Sequence, residues 1–318
     1  MVGTGHYASV LAIDERTGIA ICTDGVGTKV IVAMQAGRFD TIGIDCVAMN
    51  VNDLICVGAE PIAMVDYLAV EQPDAEMLQA IGEGLRKGAE LAGIEIPGGE
   101  LAELPELIRG HPSPLGFDLA GAAFGTVELD RIITGSAIEP GDVVIALPSS
   151  GIHSNGLTLA RRALIEQAGH SLDDVPDGLG RPLADELLKP TEIYVAAVLE
   201  LIRSGAVVHG LAHITGDGLL NLLRLKEEVG YELPDLPPAP PIFGLIERAA
   251  ELTAREMYET FNMGIGFCCV VAPESSSLAQ LTLREHYPGA AVIGEVIAEP
   301  GVIRLPSVGI AGRKSGFE

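Results

Sequence analysis

An acid, two glycines, a hydroxyl and a lysine arrive together in Thr23-Asp24-Gly25-Val26-Gly27-Thr28-Lys29, directly after the apolar run 19–22. Each suits one part of a magnesium-nucleotide site. Gly25 and Gly27 let backbone approach phosphate oxygens closely, Lys29 offers a compact positive charge, and Asp24 can hold a hard cation. The spacing before the lysine is wrong for a Walker A loop, and no Gly-Lys-Ser/Thr triplet occurs. Taken alone, the segment is also an ordinary turn after a strand. Its weight comes from four further segments.

The second runs from Asp40 through Asp45 to Asn50, Asn52 and Asp53. On a helix, Asp45 and Asp53 are separated by roughly two turns plus ~80°, so they do not share one tight face. Asp53 interrupts an otherwise apolar pattern, as a ligand or as a solvated carboxylate. The third, Gly98-Gly99-Glu100, sets an acid at a crowded turn. Asp24, Asp53 and Glu100 together would supply carboxylates for magnesium beside ATP phosphates. The fourth, Ser149-Ser150-Gly151-Ile152-His153-Ser154-Asn155-Gly156, opens a helix with hydroxyls, a histidine and free backbone N–H groups. That is an anion site or a plain capping sequence. The fifth is His213-Ile214-Thr215-Gly216-Asp217-Gly218. His153 and His213, with ordinary pKa values near ~6.5, are candidates for proton transfer or phosphate holding. No Ser-His-Asp arrangement, zinc spacing or dinucleotide fingerprint accompanies them. The residues alone lead to a magnesium-dependent, phosphate-handling enzyme, with its reaction open.

The elements that must position these segments alternate between strand and helix. Residues 19–22, 61–71 and 119–128 read as strands, and 94–96 as a short strand entering a turn at 97–100. Residues 42–57 and 75–92 carry helical periodicity, each stopped by a glycine. The turn-rich stretch 133–141 marks a boundary, giving domains 1–134 and 135–318. Beyond it come strand 143–147, a helix to about 168, helix 191–202 and strand 207–214. A proline-rich connection follows at 233–241, then strands 267–271, 291–296 and 302–305 around a helix at 276–286. A length of 318 residues suits two domains, and 48% hydrophobic content with 4% aromatics suits a core of small aliphatic side chains. Twenty basic against 44 acidic residues, net −24, argue against nucleic-acid and anionic-membrane partners. Five cysteines in apolar surroundings, with no C-x-x-C pair, fit reduced thiols. With no signal peptide and no apolar run near ~20 residues, a cytoplasmic protein is expected.

Read in order, the strings resemble the phosphoribosylformylglycinamidine cyclo-ligase (aminoimidazole ribonucleotide synthetase) family, in its archaeal-type branch. They are Cys-Thr-Asp-Gly-Val-Gly-Thr-Lys, Val-Ala-Met-Asn-Val-Asn-Asp-Leu, Gly-Ala-Glu-Pro, Gly-Gly-Glu, Ser-Ser-Gly-Ile-His-Ser-Asn-Gly-Leu, Leu-Lys-Pro-Thr-Glu-Ile-Tyr-Val and Leu-Ala-His-Ile-Thr-Gly. The resemblance runs from Gly5 nearly to the C-terminus. It implies an α/β (α+β) two-domain synthetase-like fold, with an N-terminal sheet-and-helix domain pairing in a homodimer and a C-terminal α/β sandwich domain. It implies ATP and Mg2+ as cofactors and formylglycinamidine ribonucleotide as substrate, closed to aminoimidazole ribonucleotide in purine biosynthesis after phosphorylation of the formyl oxygen. By position, Asp24, Asp53 and Glu100 would be metal residues. Gly25, Gly27, Thr28, Lys29, Asp45 and Asn50 would serve ATP. Ser154, Asn155, Thr215 and Gly216 would face the substrate, with His153, His213 and Lys29 catalytic.

Three departures stand against the family pattern. A Ser-Tyr-x-x-Ala-Gly-Val-type string usual near the N-terminus is not among these residues, Leu101 stands where Thr is usual, and Asp217 stands where a glycine is usual. A non-catalytic nucleotide-binding paralogue and a different ATP-dependent phosphorylating enzyme of the same fold are the alternatives.

Overall fold

The computed structural model describes residues 5–318, so the first four residues of the expected 1–134 domain lie outside it. Two sheets divide the chain. The first contains β1 (Ser9–Ala12), β2 (Thr17–Gly25), β3 (Glu60–Val70), β4 (Glu95–Glu103) and β5 (Phe117–Glu128), in the order β1-β2-β5-β3-β4. Its helices are α1 (Lys29–Ala36), α2 (Ile42–Ile55) and α3 (Ala75–Ala92). Along β5, residues 117, 119, 121, 123, 125 and 127 are buried and the alternate ones open. The helices cover one face of the sheet and leave the other bare. On the bare face Ile21, Phe124, Val65 and Tyr67 remain exposed at 43%, 37%, 43% and 47%.

The near-continuous apolar run of α2 is explained by its place between that sheet, α3 and the C-terminal domain; Asp53 and Ile44 are its only residues not buried. It crosses α3 at backbone contact. A Cβ at Gly43 would stand 2.1 Å from Leu85 N, and one at Gly84 2.6 Å from Asp40 O, so glycine is needed on both sides. The α3 boundaries follow from chemistry visible in the sequence. Asp74 accepts from Met77 N at 2.8 Å at the start, and Gly93 closes the end at φ 68°.

The second sheet has the order β13-β12-β11-β8-β10-β6-β9-β7. Its strands are β6 (Val143–Pro148), β7 (Val208–His213), β8 (Gly230–Glu232), β9 (Ile265–Val271), β10 (Ala291–Ile297), β11 (Ile303–Leu305), β12 (Ile310–Arg313) and β13 (Gly316–Phe317). Every residue of β9 is buried, including the free Cys268 and Cys269. Helices α4 (Leu157–Arg161), α5 (Leu183–Leu187), α6 (Val195–Arg203), α7 (Pro241–Ala250), α8 (Ala254–Thr260) and α9 (Ser276–His286) complete this half. No helix among the described residues is long and apolar enough to cross a membrane.

Two sequence expectations change. Residues 97–100 are no turn, because β4 continues through them parallel to β3, with one register shift between Glu95 and Gly98. Gly99 is required there because a Cβ would stand 2.4 Å from Asp66 Oδ1, whose side chain leans across the strand. The helix expected from 191 starts at Val195, because the preceding amides are spent elsewhere. Thr191 N donates to Asp45, and Tyr194 N donates to Asn52.

One buried carboxylate fastens the loop between β4 and β5. Glu71 Oε2 accepts from Gly110 N and Oε1 from Ser113 Oγ, each at 2.6 Å. The Ser113 hydroxyl, then the Gly110 amide, hold the Glu71 carboxyl below its ordinary value of 4.5. A carboxyl lowered on folding stabilises above its unfolded value, and that contribution is lost as pH falls through the folded one. Between pH 5.5 and 3.5 the Tm of the wild type is therefore expected to fall more steeply than that of Glu71→Gln. Parallel slopes in differential scanning calorimetry would remove this carboxylate from the loop's anchorage.

Candidate active site

The loop after β2 is held from beneath by α2. Asn50 Oδ1 accepts from Asp24 N at 3.0 Å, while its Nδ2 donates to Asp24 O at 3.1 Å and Cys46 O at 2.9 Å. Asn50 is thus fully engaged with backbone and buried, a brace for the loop and not a group open to nucleotide. Asp24, half-buried, accepts from Gly25 N at 2.7 Å. Burial, with the Asp53 charge adding to it, raises the Asp24 carboxyl above its ordinary value. Gly27, at φ 69°, and Thr28 are exposed at the rim. Thr28 Oγ1 lies 2.9 Å from Thr158 Oγ1 of the other domain.

Lys29 and Asp45, expected among the ATP residues, lie in the interior. Both are wholly buried and paired at 2.8 Å. Lys29 Nζ also donates to Lys189 O. Burial lowers the Lys29 pKa, and the Asp45 charge opposes that shift. Asp45 Oδ1 further accepts from Thr191 N and Thr191 Oγ1, each at 2.7 Å, and from Ser154 Oγ at 3.3 Å. Sequence order hides this knot, since its members come from both domains.

The two histidines are interior groups. His153 sits at φ 64° and accepts through Nε2 from Ser150 N at 3.2 Å, which assigns the ring proton to Nδ1. That Nδ1 is buried with no partner. Burial, reinforced by His213 and Lys29, holds the ring well below its ordinary pKa, hence neutral at pH 7. His213 Nδ1 lies 2.9 Å from Asp53 Oδ1, and its Nε2 lies 3.4 Å from Asn52 Nδ2. With both nitrogens partnered, His213 orients Asp53 and has no free nitrogen for substrate. Asp53 itself remains 19% exposed.

Thr215 and Gly216 are half-buried beside the fourth segment, where a Cβ on Gly216 would stand 3.5 Å from Asn155 Oδ1. Asn155 Nδ2 is buried without a partner. Asp217 is exposed at φ 71°, a left-handed conformation that glycine adopts freely, so its charge stands in solvent. It lines a cavity of about 580 Å3 with Arg224 and Lys314.

The three expected metal carboxylates do not converge within one chain. Asp24 lies on the helix-covered face of the first sheet, whereas Glu100 pairs with Tyr67 and points from the bare face. Among the described residues no group of three His, Cys, Asp or Glu side chains is placed to hold a metal. The sequence reading passed over Asp66, which shares a row and a face with Asp24 across Gly121. Burial raises the Asp66 carboxyl. The available signal was an acid at an inward position of an apolar strand. Half-buried carboxyls whose charged form is disfavoured by burial suit a hard cation, whose remaining oxygens come from phosphate and water.

The chain matches the family models described as "AIR synthase related protein, N-terminal domain" over residues 5–127 and "AIR synthase related protein, C-terminal domain" over 139–305. It is 51% identical to the phosphoribosylformylglycinamidine cyclo-ligase of Methanothermobacter thermautotrophicus, over 96% of this chain and 87% of that protein. It is 52% identical to the Thermococcus kodakarensis protein of the same name, over 96% and 86%. Among solved structures it resembles E. coli HypE, with a TM-score of 0.67 and 20% identity over 93% of this chain and 84% of that one. It also resembles T. maritima PurL complexed with ADP, with a TM-score of 0.63 and 21% identity over 96% of this chain but 44% of that one. At these identities the structures speak for the fold alone. The identity to curated relatives spans both domains and the seam between them, and the chain belongs to the phosphoribosylformylglycinamidine cyclo-ligase family.

Proposed function

We propose that this chain closes the imidazole ring of formylglycinamidine ribonucleotide at the expense of ATP, releasing aminoimidazole ribonucleotide, ADP and phosphate. The observation that carries this reading is about 50% identity to curated cyclo-ligases over 96% of the chain. The formyl oxygen attacks the γ-phosphorus, ADP leaves, and the formamide nitrogen gives up its proton to form an imino phosphate. The amidine nitrogen then attacks the formyl carbon, the C–O bond breaks, and phosphate departs with that oxygen while the ring nitrogen loses its proton. Phosphorylation turns a poor leaving group into a good one, and the seam holds the nucleophile beside the carbon it attacks.

The roles follow from accessibility. Gly25, Gly27 and Thr28 offer backbone and hydroxyl donors at the nucleotide side, and Asn155, Thr215 and Gly216 at the substrate side. Asp24 and Asp53 would hold Mg2+ together with oxygens from phosphate and water, and the ion would supply charge neutralisation at the phosphates when bound. His153, neutral with its proton on Nδ1, is suited to donating a hydrogen bond and not to carrying positive charge. The bare apolar face of the first sheet is suited to a second copy of this chain, and Glu100 on that face would act in a homodimer near the partner. A cytoplasmic setting agrees with five free cysteines, four of them buried.

Purified protein with ATP, magnesium and formylglycinamidine ribonucleotide is expected to release ADP and aminoimidazole ribonucleotide in equal amounts. ADP release that ignores the substrate, with no ring product, would refute the cyclo-ligase reading in favour of another phosphorylating enzyme or a nucleotide-binding paralogue. Asp217→Gly is expected to keep turnover within about twofold and to hold or raise Tm, since glycine adopts positive φ freely. A tenfold loss of turnover would give the Asp217 carboxylate a working role.

A further inference from the structure

Asp45 and Asn52 stand seven residues apart on α2, close to two full turns, and so project from one face. Both grip the same extended stretch of the C-terminal domain. Asp45 Oδ1 takes the amide and hydroxyl of Thr191. Asn52 donates to Glu192 O at 2.8 Å and accepts from Tyr194 N at 3.0 Å. Glu192 N in turn faces His153 Nε2 at 3.5 Å, and Ser154 Oγ lies 3.1 Å from Thr191 Oγ1. The substrate-side loop therefore hangs from a segment splinted onto α2.

Lys29 closes this splint from the nucleotide side. Its ammonium is wholly buried between Asp45 Oδ1 and Lys189 O, one residue after the exposed Thr28. Four donors converge on one oxygen of Asp45, while Oδ2 is buried with no partner. The carboxylate's orientation is thus set by partners in the other domain. Turning Lys29 outward to a phosphate would strip a buried carboxylate of its counter-charge, an arrangement proteins avoid.

We propose that the Lys29–Asp45 pair is a positioning device: it fixes the 189–192 segment and the His153–Ser154 loop against the nucleotide loop, and Lys29 touches no phosphate. This rests on the cyclo-ligase reading. A displacement of about 1 Å between reacting groups costs on the order of 100-fold in rate, whereas nucleotide bound by one domain alone barely senses it.

The test compares affinity with turnover in a charge-neutral pair. Lys29→Met leaves Asp45 uncompensated, and its turnover is expected to fall about 100-fold. Adding Asp45→Asn removes the orphaned charge while keeping an oxygen for Thr191, and is expected to recover turnover at least tenfold over Lys29→Met. Buried ion pairs often tolerate joint neutralisation, so the double variant is the arm that remains readable if Lys29→Met does not fold. Affinity for the β,γ-methylene analogue of ATP with magnesium, measured by calorimetry without substrate, is expected within about threefold of wild type in the double variant. A tenfold or greater loss of that affinity at undiminished Tm would overturn the proposal and return Lys29 to the phosphates. Wild-type protein that binds the analogue but closes no ring would sink the cyclo-ligase reading instead, and would leave the affinity comparison standing.

Discussion

One carboxylate oxygen, Oδ1 of Asp45, ties the two halves of this molecule together. It receives an ammonium from the N-terminal domain and an amide and two hydroxyls from the C-terminal domain, all without solvent. A buried charge of this kind contributes little net stability compared with well-packed apolar groups, but it tolerates few alternative geometries. What it secures is register. The segment at 189–192, the loop at 153–154 and the loop at 27–28 hold their places because each touches this oxygen or a neighbour of it. Asn52, two turns further along α2, repeats the arrangement with backbone groups.

Seen from that seam, the polar residues sort into braces and open groups. Lys29, Asn50, Asn52 and His213 have their hydrogen-bonding capacity largely spent inside the protein, and Asp45 bonds only inside it, through one oxygen. Asp24, Thr28, Asp53 and Gly216 keep exposed surface at the rim. Raised carboxyls at Asp24 and Asp66 follow chiefly from burial, a condition under which a divalent cation beside phosphate is favoured. The acidic surface, net −24, makes such local cation binding more important for an anionic ligand.

Much of the architecture was legible in the chain. Helices α2 and α3 are readable from apolar spacing and from the glycines that stop them, and most of β5 as a strand over 119–128. The misreadings have physical causes. Gly98-Gly99 imitates a turn, but Gly99 is there to let Asp66 cross the strand. Thr191 to Tyr194 carries no local mark of being extended, because its amides are claimed by Asp45 and Asn52, as far as 146 residues away in sequence. The site was legible as strings and not as atoms. Residue type nominated Lys29, His153 and His213 for chemistry, and only the packing shows that their polar atoms face inward or are already partnered. Asp66 escaped notice because its signal is parity on a strand, which a search for loops does not weigh.

The proposed reaction requires the formyl oxygen to become a phosphate ester before the ring closes. Its most direct test uses substrate carrying 18O in the formyl group, with the released inorganic phosphate analysed by mass spectrometry after complete conversion. One 18O atom in each phosphate released is the expected result. Label lost to water, with unlabelled phosphate, would mean that ATP is cleaved without activating that oxygen, and would contradict the account.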